Sequence, residues 1–347
     1  MSFTWPDVLT GLVGGVDLDA AAASWAMDEI LSGNATPVQI AGFMVALRAK
    51  GETVEEISGL ASGMLEHARP IDLPTDAVDI VGSGGDRART VNISTMAAIV
   101  AAAAGARVVK HGNRAASSAC GTADCLEALG VVLDLPADKQ PAVFAETGIV
   151  FLFASHYHPS LRHAAVPRRE LGISTTFNFL GPLANPARPQ AQAVGVADAR
   201  MAGLMAGVLA GRGHRGMVFH GGDGLDELTT TTASDLWLFS GGRTVTTRLD
   251  PADLGIPRAE PADLVGGEPP VNAAIARETL AGKRGPVRDI VLLNAAAALL
   301  AFDGPDLDEP AGPQFAGRLE RAAAAIDDGR ATALLDRWVA VTQAARD

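Results

Sequence analysis

Asp226 and Glu227 stand side by side in "GMVFHGGDGLDELTTTT", directly after a strand-like run. Magnesium in phosphate-handling sites is held by one or two carboxylates plus substrate phosphates, so such a pair fits a metal seat beside a phosphate cradle. Asp223, three residues earlier, is a weaker candidate. A cradle is present in "DIVGSGGDRARTVNIST", residues 79 to 95, where Gly82, Gly84 and Gly85 open a turn after a strand. Glycine lets backbone N–H groups approach a phosphate closely, and Asn92, Ser94 and Thr95 add amide and hydroxyl groups where the next helix begins and its dipole favours an anion. A third stretch, "VVKHGNRAASSACGTAD", sets Lys110, His111, Asn113 and Arg114 directly after another strand, followed by Ser117, Ser118 and Thr122, the last an expected helix N-cap.

Each feature alone has a plainer structural reading. A glycine-rich turn is weak evidence, and this one lacks both the lysine of a Walker A loop and the spacing of a dinucleotide-binding turn. Adjacent acids are commonly solvated, a lone Lys110 or Arg114 is an ordinary surface charge, and Thr122 is an ordinary cap. The argument for chemistry is convergence, because all three segments follow strands, and in open α/β sheets ligands bind beyond the carboxyl ends of strands. A fourth segment, "FLFASHYHPSLRHAAVPRRELGISTTFNFLGPLANP", carries His156 and His158, which lack acid or cysteine partners at ligand spacing and read as pocket wall or helix cap. Its Arg168 and Arg169 have the fork geometry to hold a carboxylate. No nucleophile elbow, triad signature or H-E-x-x-H is present.

The elements that would position these groups follow from periodicity. The first seventy residues read as helices: Thr36 and Pro37 open one with Ile40, Phe43, Met44 and Leu47 on a single stripe and Gly51 at its end. Thr53 and Glu56 form the capping box of the next. Beyond "ARPIDLPTDA" short β-branched runs alternate with helices. Strands are expected at "VDIVG", "ARVVKHG", "GVVLD", "GIVFLFA", "QAVGVA" and "GMVFHG", with helices at 95–104, 122–129, 139–147 and 199–210. "LWLFSGGRTVTTRL" reads as a hairpin, "NFLGPLANPARPQ" as a break or hinge, and the tail from Pro313 as closing helices. The expected fold class is α/β: a small N-terminal helical domain over 1–72, joined by a segment near 165–188, and a larger α/β domain over 73–347 with a mostly parallel central sheet covered by helices.

Composition bounds the function. The chain has 347 residues, 48% apolar and 20% charged, and a net charge of −12, which disfavours nucleic acid and anionic membrane surfaces as partners. Cys120 and Cys125 match no disulfide framework or zinc site. The start lacks a signal-peptide pattern, and the apolar run from Met96 is too short to span a membrane, so a cytoplasmic protein is expected.

Taken in order, these motifs resemble the anthranilate phosphoribosyltransferase family of tryptophan biosynthesis over nearly the whole chain. The family's glycine loop and N-I-S-T appear as Gly82 to Asp86 and Asn92 to Thr95, and its K-H-G-N-R block as Lys110 to Arg114. Its R-x-x-L-G helix appears as Arg168 to Gly172, its F-N-x-L-G-P-L-x-N-P as Phe177 to Pro186, and its D-G-L-D-E as Asp223 to Glu227. The resemblance implies transfer of phosphoribose from 5-phosphoribosyl 1-pyrophosphate to the anthranilate amine with release of pyrophosphate, the second step from chorismate to tryptophan, by a homodimer joined through its helical part.

By motif position, the resemblance assigns 5-phosphoribosyl 1-pyrophosphate to Gly82, Gly84, Gly85, Asp86, Thr90, Asn92, Ser94, Thr95, Lys110, His111, Gly112, Asn113, Arg114, Ser117, Ser118 and Thr122. It assigns magnesium (Mg2+) to Ser94, Asp226 and Glu227, and anthranilate to Gly82, Asn113 and Arg168. Lys110, Asn113 and Arg168 would be catalytic. The chain departs from the family pattern at Ser83, where threonine is usual; at Arg87, where glycine is common; at Ser174, where arginine or proline is typical; and at Cys120 and Thr122, which replace frequent serines. Two rivals are a nucleoside phosphorylase of the same broad fold and a silent nucleic-acid-binding relative. The K-H-G-N-R block and the intact acids oppose the first, and the acidic balance opposes the second.

Overall fold

A computed structural model describes residues 3–114 and 119–346. Four helices come first: α1 (Trp5–Val13), α2 (Ala20–Leu31), α3 (Pro37–Lys50) and α4 (Val54–Glu66). Their starts follow local chemistry. Thr36 and Thr53 each accept the backbone N–H of the third helical residue, and Gln39 and Glu56 return the bond to the cap, so both capping boxes are closed. Gly51 ends α3 at φ 89°, where a side chain would be strained.

The rest of the chain builds one seven-stranded sheet: β1 (Val78–Gly82), β2 (Val108–Gly112), β3 (Ile149–Phe153), β4 (Ala191–Gly195), β5 (Arg215–Gly221), β6 (Ser234–Ser240) and β7 (Arg243–Leu249). The spatial order is β3-β2-β1-β4-β5-β6-β7; the first five are parallel and the last two form an antiparallel hairpin edge. From β1 the chain winds outward to β2 and β3, then returns to lay β4 on the other side. The gap at the carboxyl ends of β1 and β4 is therefore a topological switch point, where ligands of such sheets bind.

Side-chain alternation sends neighbouring residues to opposite faces. Ile80, Ala193, Met217 and Phe219 join the core built with α5 (Ile93–Ala103), α6 (Thr122–Leu129) and the helices Pro286–Asp303, Ala311–Asp327 and Arg330–Arg346. Val81, Val194 and Val218 join a second core shared with helix Ala199–Gly211 and α1 to α4. The N-terminal helices thus close one face of the sheet. Helix Arg162–Leu171 packs on α2 and α3, and Phe177, Phe179, Leu180 and Leu183 enter the same core.

One expected strand is absent. The run "GVVLD", residues 130–134, is irregular: Val131 and Leu133 are buried beneath the C-terminal helices, and the Val132 N–H donates to Thr342 Oγ1 at 3.1 Å rather than to a sheet neighbour. Its apolar residues satisfy packing without a ladder. Helices Pro269–Leu280 and Pro286–Asp303 had no sequence expectation, the latter being buried along most of its length and so lacking a polar stripe.

Candidate active site

The acidic pair lies at the switch point. Asp226 and Glu227 are 9% and 8% exposed, respectively, on the turn after β5. Asp226 Oδ2 accepts the Gly84 N–H at 2.6 Å, and Glu227 Oε1 accepts the Ser94 N–H at 3.1 Å at the start of α5, so one acid grips the glycine turn and the other the helix N-terminus. Two glycines permit this approach. A Cβ on Gly82 would stand 2.2 Å from Asp226 Oδ2, and one on Gly195, at the end of β4, 1.7 Å from the Asp226 carbonyl oxygen. Gly84 and Gly85 have φ 73° and 91°, values that side chains rarely adopt.

Lys110, on β2, is buried, and its Nζ donates to the Ile80 carbonyl. The charges around it are Asp79, Glu227 and Asp226, three buried carboxylates about one ammonium. Burial dominates and pushes every member toward its neutral form: Lys110 falls below its ordinary value, Asp79 rises to about 6, Glu227 to about 7, and Asp226 well above the carboxylate range, with Glu227 and Asp86 adding repulsion. Glu227 Oε2 is buried without a hydrogen-bond partner.

Such a pair fits a divalent cation. The orphan oxygen and the excess of carboxylates supply charge and lone pairs that the chain itself leaves uncompensated. Two carboxylates leave the remaining positions of such an ion to water and phosphate, the usual condition of magnesium.

The other expected residues fall into distinct settings. Asp86 turns the loop, accepting the Ala88 N–H, and Thr90 bridges to Val265. Asn92 occupies the N-cap position of α5 but makes no cap bond; its amide donates to the Cys120 carbonyl and accepts from Asn272 Nδ2 at 2.8 Å. Thr95 Oγ1 is buried and unpartnered. His111 stacks edge-on to His158, and burial lowers it to about 3, so it is neutral and its Nε2 is free. A Cβ on Gly112 would meet the Phe151 ring at 3.0 Å. Asn113 Oδ1 accepts from Ser155 Oγ, and Arg168 is half-buried without an ion-pair partner among the described residues, its charge destabilised by burial. Ser117 and Ser118 lie outside the described residues.

Two expectations need correction, and one residue is already occupied. Thr122 is the first residue of α6, whereas Gly121 takes the N-cap position, so the threonine hydroxyl is not the cap. Asp223 is not a metal candidate: Oδ2 accepts from Thr229 and Thr231 hydroxyls and Oδ1 from the Leu225 N–H, leaving it to shape the turn. Arg114 reaches Glu127 and Asp124 through paired bonds at 2.9 Å and lies 5.3 Å from the Phe153 ring centre, so a phosphate would have to compete with two carboxylates.

Sequence reasoning passed over the residues that hold the site together. Asn294, in the middle of helix Pro286–Asp303, clamps Leu228 by accepting its N–H and donating to its carbonyl, fixing the turn that bears the acids. Asn185 Nδ2 donates to Asp79 Oδ2 and to the Val109 carbonyl, tying β1 to β2 beneath Lys110. Asn272 accepts the Gly267 N–H and supports Asn92. Asn185 sits inside a quoted motif; Asn272 and Asn294 carry no local signal.

The glycosyl transferase family a/b domain matches residues 74–332, and the glycosyl transferase family helical bundle domain matches residues 6–68. An anthranilate phosphoribosyltransferase of Nocardioides sp. is 60% identical over 339 residues, 98% of this chain and 99% of the relative. The crystal structure of anthranilate phosphoribosyltransferase from Thermus thermophilus superposes with a TM-score of 0.88 at 40% identity, covering 97% of this chain and 99% of that one. The Saccharomyces cerevisiae enzyme in complex with 5-phosphoribosyl 1-pyrophosphate and magnesium gives 0.87 at 27% identity, covering 98% of each chain.

Proposed function

The chain belongs to the anthranilate phosphoribosyltransferase family, whose members transfer phosphoribose from 5-phosphoribosyl 1-pyrophosphate to anthranilate, and we propose that its buried acids seat the pyrophosphate end of that substrate through magnesium. The observation that carries this reading is the convergence of Asp226, Glu227, Ser94 and Lys110 on the glycine turn at the switch point. Asp226, Glu227 and the Ser94 hydroxyl would hold magnesium there, and it would supply positive charge where the leaving pyrophosphate gathers negative charge.

The chain's own groups supply the rest. The side-chain-free turn at Gly84 and Gly85 leaves room for the phosphates beside the start of α5, whose dipole favours an anion, while the Gly84 and Ser94 N–H groups are held by Asp226 and Glu227. Lys110, pre-paired to the Ile80 carbonyl, stands as a fixed cation toward the departing oxygen. As the ribose C1–O bond breaks and its electron pair leaves with pyrophosphate, the anthranilate nitrogen lone pair forms the C1–N bond and the amine gives one proton to water. That aromatic amine is already unprotonated near neutral pH, so no strong base is required. Arg168, half-buried and without an ion-pair partner among the described residues, holds the anthranilate carboxylate, and Asn113 and Gly82 complete the acceptor pocket. Orientation of this kind is worth up to roughly 7–11 kcal/mol.

We assign the exposed Val13, Val38 and Val45 of the N-terminal helices to a homodimer contact. Following anthranilate fluorescence tests the activity: decay is expected only when anthranilate, 5-phosphoribosyl 1-pyrophosphate and magnesium are all present. Decay without magnesium, or none from folded protein, contradicts the reading.

A further inference from the structure

At the opposite edge of the sheet, where β4 and β5 begin, a cavity of about 330 Å³ lies between α4 and the strands. Arg188, Gln192, Arg212 and His214 line it from the sheet side and Glu66 from α4. Among the described residues, three of these side chains have a buried polar atom without a hydrogen-bond partner. Arg212 Nη1 donates to the Leu183 carbonyl at 2.7 Å, but its Nη2 is buried without a partner. His214 Nδ1 is likewise buried and free, and Gln192, 3% exposed, has no donor to its Oε1.

Charge in the cavity is unbalanced. Burial first, then the neighbouring Arg188, pushes Arg212 down to about 10, so two like charges meet at the cavity, Arg212 partly buried and Arg188 exposed. Among the described residues neither has a carboxylate within 4.0 Å, and Glu66 is not within that distance of any basic nitrogen. Arg188 is also held at φ 50°, a left-handed conformation that strains a residue with a Cβ. Water would satisfy the hydrogen bonds but not the repulsion; an oxyanion does both.

We propose that this cavity is a second anion site, remote from the catalytic edge, that takes phosphate or the phosphate end of a small hydroxylated ester. Arg188 and Arg212 hold the anionic oxygens, and a ligand hydroxyl donates to Gln192 Oε1. The volume exceeds that of phosphate alone and suits a small ester. Because α4 and the sheet both line it, the ligand joins the N-terminal helices to the α/β layer.

Calorimetric titration of the intact protein with inorganic phosphate, glycerol 3-phosphate and sulfate tests this. Phosphate and glycerol 3-phosphate are expected to bind at least fivefold more tightly than sulfate, which lacks a donor for Gln192; the tighter of the first two identifies free phosphate or an ester as the source. Arg188→Asn, which keeps a residue tolerant of left-handed backbone, is expected to weaken both at least tenfold and leave anthranilate turnover unchanged. Binding within twofold of the unmodified protein overturns the proposal, since the anions then report only the catalytic edge. If that variant fails to fold, Gln192→Met is expected to abolish the preference for phosphate over sulfate, and its retention overturns the proposal equally.

Discussion

Glu227 carries the pH behaviour of the metal-free site. Its folded-state value of about 7 lies above the ordinary 4.5, so the fold favours the protonated acid. For an acid raised in this way the stability is fully present below about pH 4.5 and is lost as pH rises to about 7, a loss on the order of 3 kcal/mol for an isolated group. His111 and His214, lowered to about 3 and about 4, act in the opposite sense over part of the same range, so the total stability curve does not isolate Glu227. The magnesium-induced increment does. Calorimetric melting with and without magnesium is expected to show several degrees of stabilisation near pH 8 and almost none near pH 5.5, where protons hold the site. An increment independent of pH contradicts the assignment. Arg87 belongs to this scale too: its φ of 61° accounts physically for a position where glycine is common.

At the scale of elements, the site depends on close backbone approach and on clamps from distant helices. Gly82→Ala places a methyl 2.2 Å from Asp226 Oδ2, so the carboxylate must move off the turn; turnover is expected to fall at least about tenfold with the melting temperature little changed, as steady-state assays and calorimetry would show. Asn294→Ala frees both polar groups of Leu228 and is expected to cost about 1–3 kcal/mol in denaturant unfolding. The parallel strands, the hairpin, the Thr36 cap and the Thr53–Glu56 capping box were legible because each is written in adjacent residues; that Gln39 closes a second box emerged only in the structure. The "GVVLD" run was not, since burial beneath C-terminal helices makes an irregular segment as apolar as a strand. Asn294 and Asn272 were illegible for a related reason: a polar residue on a helix shows its use only when its partner, some 66 or 180 positions away, is in place.

At the scale of the whole molecule, α1 to α4 share their core with helix Ala199–Gly211 and one face of the sheet, so they are not expected to fold alone; a 1–72 fragment should show little helical circular dichroism. Their outer surface exposes Val38 at 81%, and if the proposed dimer forms there, Val38→Asp is expected to turn it into monomers in sedimentation equilibrium; an unchanged dimer, or an unmodified protein that is already monomeric, is the opposing result. The glycine turn, the K-H-G-N-R block and the acidic pair were each ambiguous in one dimension; the switch point between β1 and β4 makes them one site. The most direct test of that site is turnover of Asp226→Asn and Glu227→Gln at saturating magnesium, with folding checked by calorimetry. Losses of about a hundredfold or more from folded proteins are expected if the pair seats the magnesium that receives pyrophosphate. Rates within threefold of the unmodified enzyme would contradict the account.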